Sequence, residues 1–157
     1  MIQRVQTLFL AGASLALILL FFFPLATFYD ELLGNFRFFI TTLEPMDPDP
    51  KLQVSIWFAS PLYLITAFCG ILTLATIFFY KNRPRQVQVI AIAIFLNILL
   101  IVLIFFFYIN RIEKMTGITA SYQFGIFLPL ISLLFLVLAN RFIRKDEQLV
   151  KSADRLR

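Results

Sequence analysis

Four stretches of this chain hold none of its 14 basic and 9 acidic residues. They run Thr7 to Tyr29, Val54 to Tyr80, Val87 to Tyr108 and Ile118 to Asn140, with lengths of 23, 27, 22 and 23 residues. A helix rises about 1.5 Å per residue, so each stretch reaches the roughly 30 Å of a bilayer's hydrocarbon core. An ion at the membrane centre costs at least about 2.5 kcal/mol. Lipid imposes this exclusion of charge, whereas a buried helix of a soluble protein keeps a charged solvent face. The pattern predicts an all-α membrane protein. It is an antiparallel four-helix transmembrane bundle over residues 1–143, with an outer loop over 30–53 and a cytoplasmic amphipathic tail over 144–157.

Composition agrees: 61% of the chain is hydrophobic and 15% charged, with Phe occurring 20 times. So short a chain has no core large enough to bury that much apolar surface from water. There is no His and one Cys. Imidazole ligands, His-based proton transfer and an intramolecular disulfide are therefore absent. No cofactor and no metal is expected. The first stretch is too long for a signal-peptide core of about 7–15 residues and reads as a retained helix. Pro24, Pro61 and Pro129 fall inside the stretches, where each removes a backbone donor; Pro129 is expected to kink the fourth helix.

Lys and Arg stay on the cytoplasmic side of a membrane helix. Four crossings put Arg4, Lys81, Arg83, Arg85, Arg141, Arg144, Lys145, Lys151, Arg155 and Arg157 on one side, and Arg37, Lys51, Arg111 and Lys114 on the other. Both termini should then be cytoplasmic. The net charge of +5 reads as topology and attraction to anionic lipid, and no nucleic acid is expected as a partner.

The long outer loop has an apolar part, Phe36 to Thr41, expected to be a short strand or an amphipathic turn on the membrane surface. Its second part, Pro45 to Pro50, has alternate prolines that keep it extended. Glu44, Asp47 and Asp49 lie close together there. They read as solvated carboxylates, since a calcium site wants six or more oxygens. Lys81 to Gln86 is a tight link, so the second and third stretches should form an antiparallel hairpin. Ile109 to Gly117 is expected to be a short loop. Asn82, Asn110 and Asn140 each stand before Arg at a stretch's end, a pattern that caps a helix and anchors it at the headgroups.

Polar side chains inside the stretches are few. Asn97 and Gln123 are the amides expected to hydrogen-bond between helices. Thr66, Gly70 and Thr73 mark a small face on the second helix, and Gly12 and Ala16 one on the first, both suited to close packing. Cys69 has no possible His partner and reads as a packing residue. No ionised residue lies at membrane depth, which argues against proton- or ion-coupled transport. In the tail, Phe142, Leu149, Ala153 and Leu156 recur near helical spacing among six basic and three acidic residues.

The opening Met1-Ile2-Gln3-Arg4-Val5-Gln6-Thr7, the hinge Tyr80-Lys81-Asn82-Arg83-Pro84-Arg85-Gln86 and the ending Leu138 to Glu147 with Ser152 to Arg157 resemble a family of small four-span inner-membrane proteins of Bacteroidetes, catalogued as a domain of unknown function. The resemblance covers the whole chain and implies a four-helix bacterial membrane protein. It carries over no activity, substrate or catalytic residue.

The leading expectation is a non-enzymatic integral protein of the bacterial inner membrane, an accessory or scaffold subunit. Its cytoplasmic docking face would be Arg4, Lys81, Asn82, Arg83, Arg85, Arg141, Arg144 and Lys145. Membrane lipids, a membrane-protein partner or further copies of the chain are the partners expected. A channel or carrier for a small or lipid-like molecule, passing Asn97, Thr66, Thr73 and Gln123, is the second reading. A lipid-modifying enzyme using Glu31 and Glu44 is the third.

Overall fold

The computed structural model of the chain describes residues 2–29, 34–46 and 56–155. Among these residues the α-helices are α1 (Ile2–Leu19), α2 (Ser60–Phe78), α3 (Arg83–Val102), α4 (Asn110–Thr116) and α5 (Leu128–Arg155). A π-helical segment, Leu103–Ile109, joins α3 to α4 without a break. Among the described residues three helical stretches are long and apolar enough to cross a membrane: Trp57–Phe78, Pro84–Thr116 and Phe124–Gln148. A shorter apolar helix covers Val5–Leu19.

The chain is not all-α. Four short strands, β1 (Ala26–Phe28), β2 (Phe36–Phe38), β3 (Leu43–Pro45) and β4 (Ser121–Tyr122), form an antiparallel sheet in the order β3-β2-β1-β4. The uncharged stretch Thr7 to Tyr29 is thus a helix to Leu19, tight turns to Phe23, and then a strand. Pro24 is the physical reason. It has no N–H for the helix ladder and pushes Phe23 out of helical geometry. The backbone beyond it is taken up by the sheet: Leu25 N–H donates to Phe38 O at 2.8 Å, and Gln123 N–H donates to Leu25 O at 2.9 Å. Gly125 N–H donates to Pro24 O at 3.0 Å. Any Cβ at Gly125 would collide with the Phe23 and Pro24 carbonyls, so only glycine permits this crossing.

Three further expectations are corrected. Residues 109–116 are helical rather than a loop, because charge stops a chain from crossing lipid and does not stop helical hydrogen bonding. The helix ends at Gly117, whose φ of 73° is left-handed and whose N–H caps Glu113 O at 2.7 Å. Pro129 lies in the first turn of α5, where its missing donor is unneeded, so it makes no mid-helix kink. Ile118 to Gln123, expected as helix, holds β4. α5 continues without a break to Arg155.

α1 packs against α2 and α5, and α3 packs against the same two helices. One apolar core lies at the sheet end. It joins the fully buried Phe28, Phe36 and Phe38 to Leu62, Leu100, Ile104 and Ile126. A second core at the other end joins Leu10 and Ala13 of α1, Ile90 and Ala93 of α3, and Leu136, Ala139 and Ile143 of α5. The start of α1 and the end of α5 therefore share one end with the start of α3. Gly12 lies under the Phe135 ring, so α1 and α5 approach closely there. Gly70 faces open space, contrary to the close approach expected of it.

Candidate functional site

One group of exposed cations lies at the end away from the sheet. Arg85 stands in the first turn of α3; Arg141 lies one turn before the adjacent Arg144 and Lys145 on α5; Asn82 lies between α2 and α3. All five are exposed. Arg144 Nε donates to Asn140 Oδ1 at 3.3 Å, a bond along its own helix. Arg4, Lys81 and Arg83 belong to the same end by position, and their side chains lie outside the described residues.

Below these cations are two buried polar contacts that sequence reasoning misses. Gln6 Nε2 donates to Asp146 Oδ2 at 2.6 Å, joining the start of α1 to α5. Gln86 Nε2 donates to Thr76 O at 3.1 Å, joining the start of α3 to the end of α2. Gln6, Gln86 and Asp146 are all buried. A signal exists for two of them. Gln6 precedes buried Leu10, Ala13 and Leu17 at helical spacing, and Asp146 comes after Ala139 and Ile143 in the same way, so both lie on inward faces. Charge-assisted hydrogen bonds such as Gln6–Asp146 are worth about 1.5–3 kcal/mol. The basic end is therefore a surface on pinned helix ends.

The interior polar residues do not form one path. Asn97 Nδ2 donates to Ser132 Oγ at 2.9 Å, so the amide links α3 to α5 as expected. Its Oδ1 is buried without a hydrogen-bond partner. Thr66, Thr73 and Thr76 each donate to the carbonyl four residues earlier, at 2.8, 2.8 and 2.7 Å, and so satisfy themselves within α2. The Cys69 thiol, fully buried, lies 3.5 Å from Ala93 O of α3. Gln123 is elsewhere: its Nε2 donates to Thr27 Oγ1 at 3.0 Å beside the sheet. A route past both Asn97 and Gln123 is not supported by this geometry.

A cleft of about 130 Å³ opens between α1 and α2, lined by Ser14, Leu17, Phe21, Thr66, Gly70 and neighbouring apolar residues. At the sheet end, Glu44 is exposed and stands opposite Arg37 in the strand register. Asp30, Glu31, Asp47 and Asp49 lie outside the described residues. Among the described residues no group of His, Cys, Asp or Glu is gathered as a metal would need.

A family model described as a domain of unknown function, DUF4293, matches residues 2–156. The chain belongs to this family. No curated protein matches the sequence. Membership agrees with the uncharacterised family expected from the opening, hinge and ending motifs and assigns no activity.

Proposed function

We propose that the chain is a four-pass integral protein of a bacterial inner membrane and a non-catalytic accessory or scaffold subunit of a larger assembly. Four crossings need α1 to span as well. Gln6 meets Asp146 at one end, and the Phe23 ring lies 5.3 Å from that of Phe124 at the other. Residues 6–23 thus run beside the whole of the span-length stretch Phe124–Gln148. With cations held inside, the basic end faces the cytoplasm and the sheet faces out.

The observation that carries the docking role is the cluster of Arg85, Arg141, Arg144 and Lys145, exposed at one end over the buried Gln6–Asp146 and Gln86–Thr76 contacts. A rigid cationic face recognises an acidic segment of a partner without an ordering cost. The test is site-specific photo-crosslinking in native membranes from positions 85 and 144, with positions 106 and 122 at the sheet end as controls. A defined membrane protein joined from the basic end only, and lost when the four cations become Gln, is expected. Equal crosslinking from both ends, or a lone monomer in mild detergent, would overturn the role. The cleft between α1 and α2 favours a second reading, a carrier for a lipid-like molecule, in which Gly70→Leu would abolish flux and leave stability intact.

A further inference from the structure

Among the described residues Arg37, Arg111 and Lys114 lie away from the basic end. Arg37 stands opposite Glu44 in the sheet, and Lys51 lies outside the described residues. Arg111 and Lys114 are one turn apart on α4, and both are exposed. They line an open cleft of about 300 Å³ with Phe106, Phe107, Asn110 and Met115. The Arg111 guanidinium carbon lies 5.8 Å from the centre of the Phe107 ring, a cation–π distance that holds the fork beside the cleft.

The cleft has no carboxylate in its lining. Glu113, the acid of the same turn, is committed elsewhere: its Oε1 accepts the Ala120 N–H at 2.8 Å. Two cations and an amide therefore line the cleft together with two exposed phenyl rings. Phe106 is 76% exposed, and Val102, Leu99, Ile98 and Phe95 continue the exposed apolar surface down the helix. The cleft lies where that surface turns cationic.

Depth is the independent observation. Arg85 and Arg111 lie on one continuous helix, Pro84–Thr116, 26 residues apart. At about 1.5 Å per residue they are about 39 Å apart. A bilayer measures about 40–45 Å across its two headgroup layers. With Arg85 in one headgroup layer, Arg111 and Lys114 lie in the other.

On the reading that these helices cross a bilayer, we infer that this cleft binds the phosphate of an anionic glycerophospholipid from the leaflet at the sheet end. Arg111 and Lys114 take the phosphodiester, and Phe106 and Phe107 carry the first part of an acyl chain. Arg suits a planar two-point contact to phosphate, and Lys adds a point charge. The ligand is phosphatidylglycerol-like, since a zwitterionic head would bring its own cation to the two already present.

The test uses the full chain reconstituted in vesicles of phosphatidylcholine carrying a trace of phosphatidylglycerol with a photoreactive headgroup. Labelled residues are mapped by mass spectrometry. Labelling is expected within residues 106–115, displaced by unlabelled phosphatidylglycerol. Arg111→Gln with Lys114→Gln should weaken it by about 30-fold, at about fivefold per cation. Arg111→Lys keeps the charge but loses the two-point contact, so its labelling should fall between the parent and the double variant. Equal labelling by a phosphatidylcholine analogue, or unchanged labelling in the double variant with parental circular dichroism, overturns the inference. So does displacement by millimolar inorganic phosphate, which assigns the site to a free anion. A cleft labelled in vesicles but shielded in native membranes would assign it to a protein partner, again against the lipid. Alkaline carbonate extraction separates the two levels. A protein stripped from membranes sinks the bilayer-crossing reading, whereas a retained protein without the label sinks only the lipid site.

Discussion

Two glycines in this chain should answer the same substitution with opposite signs. At Gly125 an added Cβ would sit 2.7 Å from Phe23 O and 2.8 Å from Pro24 C, with Pro24 O nearer still. All three are backbone atoms, so no change of rotamer relieves the clash. Overpacking of this kind costs about 1–3 kcal/mol. Parting the segments also stretches the bond from Gly125 N–H to Pro24 O, worth about 1 kcal/mol. Gly125→Ala should therefore destabilise by about 2–4 kcal/mol. At Gly70 no atom lies within 4 Å of the added carbon. Ala is favoured over Gly inside a helix by about 0.8–1.0 kcal/mol, so Gly70→Ala should be neutral or stabilising by up to that amount. The assay is unfolding in dodecyl maltoside micelles titrated with dodecyl sulfate, monitored by far-ultraviolet circular dichroism. A Gly125→Ala protein as stable as the parent would refute the packing of the sheet against the start of α5. Equal losses at both glycines would refute the contrast.

Single contacts set three other outcomes. A double-mutant cycle on Asn97→Ala and Ser132→Ala should give a coupling of about 0.6–2 kcal/mol, read in the same titration, because the 2.9 Å bond is the direct link between them. Asp146→Ala should cost about 1–3 kcal/mol, since it leaves the buried Gln6 amide without its 2.6 Å acceptor; a loss under about 0.3 kcal/mol would contradict that contact. Cys69, fully buried, should resist a maleimide in the folded protein and react after unfolding, and reaction at equal rates in both states would contradict its burial.

Much of the helical part is legible in the sequence because charge in lipid is so costly. Absence of charge marks α2, the apolar part of α3 and the first part of α5, and a lone amide in an apolar stretch marks Asn97. The same criterion explains the misses. It is blind to backbone geometry, so Ala26–Phe28, apolar like the helix before it, reads as helix although it pairs with Phe36–Phe38 and with Ser121–Tyr122. That pairing closes over 95 residues of intervening chain between Ala26 and Tyr122, and no local pattern announces it. Pro24 is visible as a breaker, yet the path of the chain beyond it depends on Gly125, which looks ordinary in sequence. At the other extreme, Asn110 to Thr116 reads as a loop because it is charged, when only Gly117 stops that helix. Gln123, in an uncharged stretch, reads as a residue of the membrane interior and belongs to the sheet, where it holds Thr27. Of the proposed docking face, the sequence marks the cations and hides the Gln6–Asp146 and Gln86–Thr76 contacts beneath them, since polar residues near a charged end carry no contrast.

The direct measurement is side-specific labelling of single cysteines in a Cys69→Ala background, one at Ser121 in the sheet and one at Asn140 at the basic end. In intact cells an impermeant maleimide should modify position 121 and spare position 140, which should react only once the membrane is opened. Labelling of both positions from outside, or of position 140 alone, would contradict a chain held across the bilayer with its arginines within.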